Sequence, residues 1–543
     1  MSVQLHMHAD QPSLDVRKIL TRAEGARRAG DITGAARDYG TVLSRFPGNL
    51  RARKALAAIG SSAASLLAEK ARHCQHMRQF HEAAQHWTDA VALRPGHAGL
   101  GLSLCRCLLD MGRGNAALEA VNAVLRYHPD DPVALDTKGC ILRELGRLDA
   151  AQDCHIAAMQ QDGDRAGPLN HLGLIALANG DMKQAADYFA RAIALSPDIA
   201  SLHQNLAGCK TFTSGDPHIR QMQELLTRHR KDDPDVAALH FALFKALDDT
   251  GDKDTAFAHL LHGNRLCKAA SGFDITREAQ RFAWYKSLLA EPPDALPPDY
   301  TDAPRPIFVV GLPRSGTTLV ERILGQTDDA QPAGELSVVS NAIVPLLRRL
   351  QDENRPAPSR DDLLELRARI IDGMGRHSDG SAVLIDKMPL NFRWAGLICA
   401  ALPEARIVSL TRAPMPVAWS LFRHLFASPG NGFAYDMADI AAYTLLHRDM
   451  MRFWSERFTS QVFDLAYADL ISNTEHTVRN LLNACDLGWT DACLEPQTAK
   501  TPVLTASTAQ VRQGIYRDSD QGWRRYEAHL SPLVTAFEAA GLT

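Results

Sequence analysis

The chain has 543 residues, 45% hydrophobic and 22% charged, and its 59 basic and 63 acidic residues leave a formal net charge of −4. This ordinary globular composition excludes wholesale disorder, and the balanced charge gives no support to a role in coating nucleic acid. No window approaches about 18 unbroken apolar residues, so we expect no membrane insertion. The first ten residues lack a basic region followed by an apolar run, which predicts a cytoplasmic protein without a secretory signal.

The ten cysteines are scattered along the chain, and none forms a C-x-x-C pair. Such usage is typical of reduced, mostly buried thiols. Cys154 and His155 are neighbours and could suggest a metal site, but no second pair of ligands stands close to them in the sequence. We therefore predict ordinary helix residues at both positions and no bound metal.

The N-terminal half carries an internal repeat with a period of 34 residues, seen first in Gly112, Gly146 and Gly180. Each period has the pattern of two antiparallel helices, with small residues where they cross, a glycine that ends the first helix and a proline that closes the unit. Four further columns keep this register: Ala83, Ala117, Ala151 and Ala185; Pro95, Pro129 and Pro197; Gly139 and Gly173; Ala90, Ala158 and Ala192.

These columns resemble the tetratricopeptide repeat over about residues 15–210, and residues 216–290 also have helical patterning. We therefore predict an all-α solenoid over residues 15–290. The concave surface of such arrays commonly binds a protein or peptide. An array that only stabilises the chain, or that forms a homodimer, stays open as the alternative.

Residues 291–304 are rich in proline and cannot be helical, which predicts a linker. The 34-residue period does not return after them. We therefore place the boundary of a second domain, residues 305–543, at this point, and expect a fragment cut here to bind nucleotide if it stays soluble.

The second domain opens with the pattern of a phosphate-binding loop. Residues 306–310 are a short apolar run typical of a buried parallel strand, and the run from Gly311 to Thr318 then leads into a helical pattern. Loop and first-turn N–H groups at such a junction converge with the helix dipole on an anion. Thr317 stands where a P-loop kinase has its lysine, which argues against γ-phosphoryl transfer.

The run Pro-Arg-Ser-Gly-Thr-Thr at residues 313–318 resembles the 5′-phosphosulfate loop of sulfotransferases, which use 3′-phosphoadenosine-5′-phosphosulfate (PAPS). Five later segments agree with this family in their order, and two of them resemble tyrosylprotein sulfotransferases and their bacterial relatives in particular. The segments are residues 334–336, 386–392, 406–412 with Ser420, 467–470 and 507–511.

The resemblance implies a role for residues in each segment. Glu335 would be the catalytic base, Lys387 and Arg314 would stabilise charge on the transferring group, and Ser507 would donate a weaker hydrogen bond. The residues that the resemblance implies for cofactor binding are Arg314, Ser315, Gly316, Thr317, Thr318, Arg412, Ser420 and Tyr467. Two departures concern Ala413 and Pro416, where the family usually has an aspartate at one of the two positions, and Ala468, where it has a glutamate.

The chemistry of the cofactor supports the same residues as its binding site. PAPS carries phosphate groups at both ends of its ribose and needs two anion sites, and open α/β sheets bind ligands at the carboxyl ends of their strands. Arg314 and Arg412 each follow an apolar strand pattern, and the fork of an arginine suits phosphate oxygens. The sequence thus predicts a tetratricopeptide-type solenoid followed by a P-loop-like α/β sulfotransferase domain with a central parallel sheet.

The predicted reaction is sulfuryl transfer from PAPS to an acceptor hydroxyl, without a metal, and the glutamate base and the repeat array favour a tyrosine of a protein or peptide. A small molecule, sugar or lipid acceptor stays open, because a fold does not fix the substrate. A P-loop kinase would need the missing lysine, and a decayed scaffold would be expected to have lost Glu335 or Lys387. If Glu335 were not the base, His377 or His424 would be examined next.

Overall fold

The computed structural model describes residues 16–46, 48–77, 79–230, 233–291, 296–299, 304–426, 430–498 and 521–542. The chain divides into two compact units, Met1–Leu172 and Gly173–Thr543. None of the described helices combines the length and the hydropathy needed to cross a membrane.

The first unit consists of helices that pack as antiparallel neighbours. Gly112 and Gly146 follow the first helix of their repeats with φ of +67° and +75°, a left-handed conformation that glycine adopts without steric cost. The predicted helix-ending role of this column is therefore confirmed. The helices are α1 (Val16–Arg28), α2 (Ile32–Arg45), α3 (Leu50–His76), α4 (Phe80–Leu93), α5 (Ala98–Asp110), α6 (Gly114–Tyr127), α7 (Pro132–Glu144), α8 (Leu148–Gln161) and the beginning of α9 (Ala166–Asn179).

The second unit begins with further helices and continues into a parallel sheet. Its first helices are α10 (Met182–Leu195), α11 (Ala200–Cys209), α12 (Pro217–Arg228), α13 (Ala237–Thr250), α14 (Lys253–Ser271) and α15 (Ile275–Ser287). The strands are β1 (Arg305–Gly311), β2 (Ala330–Pro332), β3 (Val383–Asp386), β4 (Arg406–Thr411) and β5 (Val462–Ala466). The later α-helices are α16 (Thr317–Leu324), α17 (Val338–Asp352), α18 (Arg360–Gly375), α19 (Ala395–Ala401), α20 (Pro414–Phe422), α21 (Met437–Arg457), α22 (Tyr467–Ser472), α23 (Thr474–Ala484) and α24 (Ser531–Ala539).

The five strands pair in the order β2-β3-β1-β4-β5, and all four pairings are parallel. β1 is the central strand, with Arg305 opposite Val383 of β3 and Ile307 opposite Arg406 of β4. Because every strand runs in the same direction, all five carboxyl ends lie at one edge of the sheet. The predicted two-part fold, a helical repeat array followed by an α/β domain with a central parallel sheet, is confirmed.

The two faces of the sheet enter different apolar cores. Ile307 and Val309 of β1 pack with α16 and α23, whereas Phe308 lies in a second core on the opposite face. That second core also contains aromatic residues of α13–α15: Phe282 of α15 meets Phe392 with ring centroids 5.7 Å apart. The division into residues 15–290, 291–304 and 305–543 stays a prediction, and part of the predicted linker (292–295 and 300–303) lies outside the described residues.

Candidate active site

The loop between β1 and α16 turns through backbone conformations that leave little room for side chains. Gly311 and Gly316 have φ of +155° and +110°, and Arg314 between them has φ of +70°. A Cβ at residue 311 would lie 2.8 Å from the Leu410 carbonyl oxygen, and one at residue 316 would lie 2.8 Å from the ring of Tyr467. Glycine at both ends thus lets the loop pack tightly against β4 and against Tyr467, which directly follows β5, and α16 begins directly after the loop.

The hydroxyl residues of the loop face inward. Ser315 is only 2% exposed, and its Oγ has no hydrogen-bond partner within the described part of the chain. Thr317 and Thr318 at the start of α16 are buried as well. A buried hydroxyl without a hydrogen-bond partner costs free energy. The loop therefore suits a ligand whose oxygen accepts a hydrogen bond from this hydroxyl.

Two arginines stand at the carboxyl ends of neighbouring strands. Arg314 donates from Nε to the Ser420 Oγ of α20 at 3.0 Å, and this bond orients its guanidinium. Arg412 directly follows β4, and its guanidinium carbon lies 4.1 Å from the ring centroid of Tyr467. The guanidinium group therefore makes a cation–π contact with this ring, which helps to hold it in place. The two cations form a positive region at the sheet edge that suits phosphate or sulfate oxygens.

His424 lies near this positive region. Burial, followed by the charges of Arg314 and Arg423, lowers the pKa of His424 to about 3. Burial also lowers the pKa of His377. Neither imidazole thus gains basicity from its surroundings, which weakens both as alternatives to Glu335.

An ion pair joins the ends of β2 and β3. Lys387 Nζ lies 2.6 Å from Glu335 Oε1. The lysine side chain is fully buried, whereas the glutamate side chain is 41% exposed. The backbone supports the pair, because Lys387 N donates to the Gly334 carbonyl oxygen at 2.8 Å. A buried cation thus holds one carboxylate oxygen of a glutamate whose side chain still reaches the solvent.

Two buried carboxyl groups support this pair, and sequence reasoning assigned no role to either. Glu321 of α16 accepts a hydrogen bond from Gly334 N at 2.8 Å, and Asp386 accepts one from Leu336 N at 3.2 Å. Burial raises the pKa of Glu321, and it raises that of Asp386 to about 8. These bonds fix the backbone on both sides of Glu335. The sequence does offer a signal for a buried role of Glu321, because this carboxylate stands among the apolar residues of α16.

The predicted site residues converge at one edge of the sheet. Arg314 follows β1, Lys387 follows β3, Arg412 follows β4 and Tyr467 follows β5, while Glu335 comes soon after β2. Ser507 lies outside the described residues. Its predicted hydrogen bond, and the catalytic or binding roles of the other residues, stay predictions.

Of the departures from the family pattern, Ala468 lies in α22, whereas Ala413 and Pro416 fall at the start of α20. Ala413 precedes this helix, Pro414 opens it, and proline is well suited to a first helical position because it needs no N–H partner there. The helix still directs Ser420 toward Arg314, so these departures leave the contact between the two residues intact.

Known proteins share different parts of the chain. An uncharacterized protein of Aquifex aeolicus is 32% identical over 419 residues, which cover 75% of this chain and 54% of that protein. The human protein O-mannosyl-transferase TMTC1 is 28% identical over 167 residues, covering 24% of this chain and 19% of its own length. The chain thus spans about half the length of the first relative and about a fifth of the second.

Two solved structures are each similar to somewhat more than a third of the chain. A structure of Pseudomonas aeruginosa pilF is 20% identical and covers 38% of this chain and 93% of its own, with a TM-score of 0.31. A structure of the MamA protein is 15% identical and covers 35% and 92%, with a TM-score of 0.26.

Family models match both parts of the chain. Residues 76–138 and 137–198 match two models described as tetratricopeptide repeat. Residues 306–491, which hold the strands, the loop and the ion pair described above, match the model described as sulfotransferase family. The chain therefore carries a sulfotransferase-family domain preceded by tetratricopeptide repeats.

Proposed function

We propose that this domain transfers a sulfuryl group from PAPS to an acceptor hydroxyl. One observation carries the proposal: the Glu335–Lys387 ion pair stands at the same sheet edge as a phosphate-type loop that has Thr317 at the kinase lysine position and carries Arg314. A base and a buried cation beside an anion site are the groups that such a transfer needs.

The residues at the edge fit the two charged ends of PAPS. Arg314, with the loop from Ser315 to Thr318, would hold the phosphosulfate end, where the Ser315 hydroxyl is buried without a partner in the described part of the chain. Arg412 and Ser420 would hold the 3′-phosphate, beside Tyr467. PAPS supplies the sulfuryl group when it is bound.

In this proposal the chain's own residues move a proton and stabilise charge. Glu335 takes the proton of the acceptor hydroxyl through its solvent-reaching carboxylate, a contribution of typically ~10²–10⁴ in rate. Lys387 has three N–H donors, so it can keep its bond to Glu335 while it donates to an oxygen that gains negative charge. Arg314, within the loop between β1 and α16, adds a second fixed positive charge.

The proposed acceptor is a tyrosine of a protein or peptide. Tetratricopeptide repeats generally mediate contacts between proteins, and an array of this kind provides a concave surface for an extended segment. This support comes from the repeats and from the resemblance to tyrosylprotein sulfotransferases. A small phenol, a sugar or a lipid would instead require that the repeats serve stability or self-association.

The decisive experiment compares Glu335→Gln with wild-type protein. The change keeps the shape of the side chain and removes its basicity, so kcat should fall by ~10²-fold or more while the affinity for 3′-phosphoadenosine-5′-phosphate (PAP) stays within a few-fold. Glu538→Gln, at an exposed position of α24, is the matched control and should leave both unchanged. Wild-type turnover in Glu335→Gln would refute the assigned base.

Two further measurements test the donor and the acceptor. Thermal shifts with PAP, ATP and Mg²⁺-ATP distinguish the alternatives, because a preference for Mg²⁺-ATP would indicate a kinase and no shift with any of them a scaffold. Incubation with labelled PAPS and a cell extract, followed by identification of the labelled product, tests the acceptor. A labelled tyrosine in a protein supports the proposal, and label only in a small molecule, sugar or lipid overturns the choice of acceptor.

A further inference from the structure

One repeat of the first unit has a histidine where other repeats have an apolar core residue. At steps of 34 residues the same column contains Trp87, Val121, His155 and Phe189. All four are buried, and His155 has no solvent exposure. An imidazole in place of a large apolar side chain is costly in a core unless a specific partner uses its nitrogen atoms.

The position opposite this histidine is a glycine for a steric reason. A Cβ at Gly139 of α7 would collide with the ring of His155 of α8, and a Cβ at Gly173 would collide with the ring of Phe189 in the same way. The histidine thus occupies the aromatic slot of its repeat, against the face of α7 that also carries Cys140. Its Nδ1 faces Asp136, and its Nε2 is buried with no hydrogen-bond partner among the described residues.

Three further donor groups surround this ring. Asp136 and Cys140 are four residues apart on α7 and share one face of it, and His171 comes from the next helix, α9. Asp136 Oδ1 lies 2.7 Å from His155 Nδ1 and 3.0 Å from His171 Nδ1, and Cys140 Sγ lies 3.5 Å from the His171 ring nitrogens. One donor atom from each of the four residues lies within 4.8 Å of all the others.

This donor set matches the chemistry of zinc. Thiolate and imidazole ligands favour zinc and its neighbours among the transition metals, whereas magnesium and calcium prefer oxygen ligands alone. Tetrahedral coordination with bonds of about 2.0–2.3 Å places neighbouring ligand atoms roughly 3.3–3.8 Å apart. The separations in the structure, all within 4.8 Å, reach this range with shifts of up to about 1 Å. The side chains of Asp136 and His171 are 17% and 22% exposed, so an ion can enter from the solvent.

We propose that Asp136, Cys140, His155 and His171 bind one divalent transition-metal ion of the zinc class. Four protein ligands from three successive helices leave no open coordination position, which is the character of a structural site. The ion would join α7, α8 and α9 and would replace the apolar packing that His155 removes from its repeat. Cys154, next to His155 in the sequence, is not a member of this group.

The test uses full-length protein that has been treated with a chelator and then dialysed. Titration with ZnCl₂, with the bound metal measured by mass spectrometry, should give one ion per chain and a rise in the thermal unfolding midpoint. MgCl₂ should give neither. Cobalt in place of zinc should produce the absorption of a thiolate-bound, tetrahedral Co²⁺ ion, and Cys140→Ser should remove the thiolate band.

Two variants and one matched control decide the assignment. Cys140→Ser and His155→Phe should each weaken zinc binding by at least about 100-fold, since loss even of an outer-shell partner commonly costs 10–100-fold. Cys154→Ser removes a thiol from the same helix as His155 and should bind zinc like the wild type. His155→Phe restores the aromatic residue of the column, so it should remain folded without zinc and lose the zinc-dependent rise in midpoint.

Three results would overturn the proposal. The first is wild-type protein that binds no zinc after the metal has been restored. The second is stoichiometric zinc binding that survives in both Cys140→Ser and His155→Phe. The third is a loss of binding in Cys154→Ser equal to that in Cys140→Ser.

Discussion

In the first unit, the buried His155 interrupts a column of apolar core positions and lies among three partly exposed polar residues, whereas in the second unit Glu321, Asp386 and Lys387 are all buried at the carboxyl edge of a sheet. The first group draws on three successive helices, because each repeat of a solenoid contacts only its neighbours. The second draws on segments far apart in the chain, because parallel strands bring distant segments to one edge. The architecture thus decides over what sequence distance a polar site can be assembled.

The largest effect is expected when the chain is cut at the linker predicted from the sequence, which tests whether α13–α15 belong to the same folding unit as the sheet. A fragment of residues 305–543 lacks Phe244, Phe257 and Phe282, which share a core with the sheet. Burial of an aromatic side chain of this size contributes about 1.5–3 kcal/mol, so the loss is comparable to the total stability of many domains, about 5–15 kcal/mol. We expect this fragment to show no cooperative thermal unfolding, which reverses the expectation from the sequence that a fragment cut at the linker binds nucleotide. A fragment of residues 165–543, which keeps α9–α15, should unfold cooperatively and bind PAP.

A folded, PAP-binding 305–543 fragment would contradict this expectation. It would show that α13–α15 contribute little to the core that contains Phe308, and that the linker predicted at residues 291–304 is also the structural boundary.

The buried cation of the second unit should matter next most. Lys387→Met keeps a long side chain and removes the charge beside Glu335. We expect kcat for sulfuryl transfer to fall by ~10²–10³-fold, the usual cost of losing one preorganised donor. Lys286→Met is a suitable control, because Lys286 pairs with Asp449 at 2.6 Å within the same unit but belongs to α15. Equal losses in both variants would mean that the effect is structural rather than catalytic.

The 3′-phosphate assignment predicts a smaller loss, seen in binding rather than turnover. Arg412→Ala removes a charge-assisted contact worth roughly 1.5–3 kcal/mol, or about 10–150-fold in the dissociation constant of PAP. Arg479→Ala is a matched control, since Arg479 also stacks on an aromatic ring, that of Trp489, at 3.7 Å. Calorimetry that shows unchanged PAP affinity in a folded Arg412→Ala protein would remove the assignment.

The effect that is smallest per pH unit concerns the buried carboxyl of Asp386. Burial raises its pKa from the ordinary 3.8 to about 8, so between these values the folded state holds a proton that the unfolded state has lost. The contribution of Asp386 to stability therefore falls as pH rises from about 4 to 8, by at most about 1.4 kcal/mol per pH unit. Asp386→Asn cannot ionise, and its unfolding free energy relative to the wild type should increase over this window.

Chemical denaturation at pH 5, 6, 7 and 8 measures that difference. A constant difference between Asp386→Asn and wild type would mean that the carboxyl is ionised in the folded protein throughout. The Lys387–Glu335 pair would then be the first place to look for the compensating charge.

Much of the architecture was predictable because its signals are local. Gly112 and Gly146 predicted helix ends, and both have a left-handed φ in the structure. Helices commonly end at a residue in this conformation, and glycine adopts it most easily, so the signal lies within a few residues. The loop from Gly311 to Gly316 was predictable for the same reason, since the strand, the turn and the helix are contiguous. Such features depend on φ, ψ and side-chain size over short stretches.

The tertiary structure alone decided which distant residues meet. The order β2-β3-β1-β4-β5 places Lys387 beside Glu335, and no property of either segment in isolation specifies that pairing. Helix packing likewise selected Cys140 and His171, rather than Cys154, as companions of His155. The sequence determined which segments form helices, strands and an anion-binding loop. Only the packing of those segments decided which charges are buried together, because desolvation and ion pairing depend on neighbours that the chain brings together only when it folds.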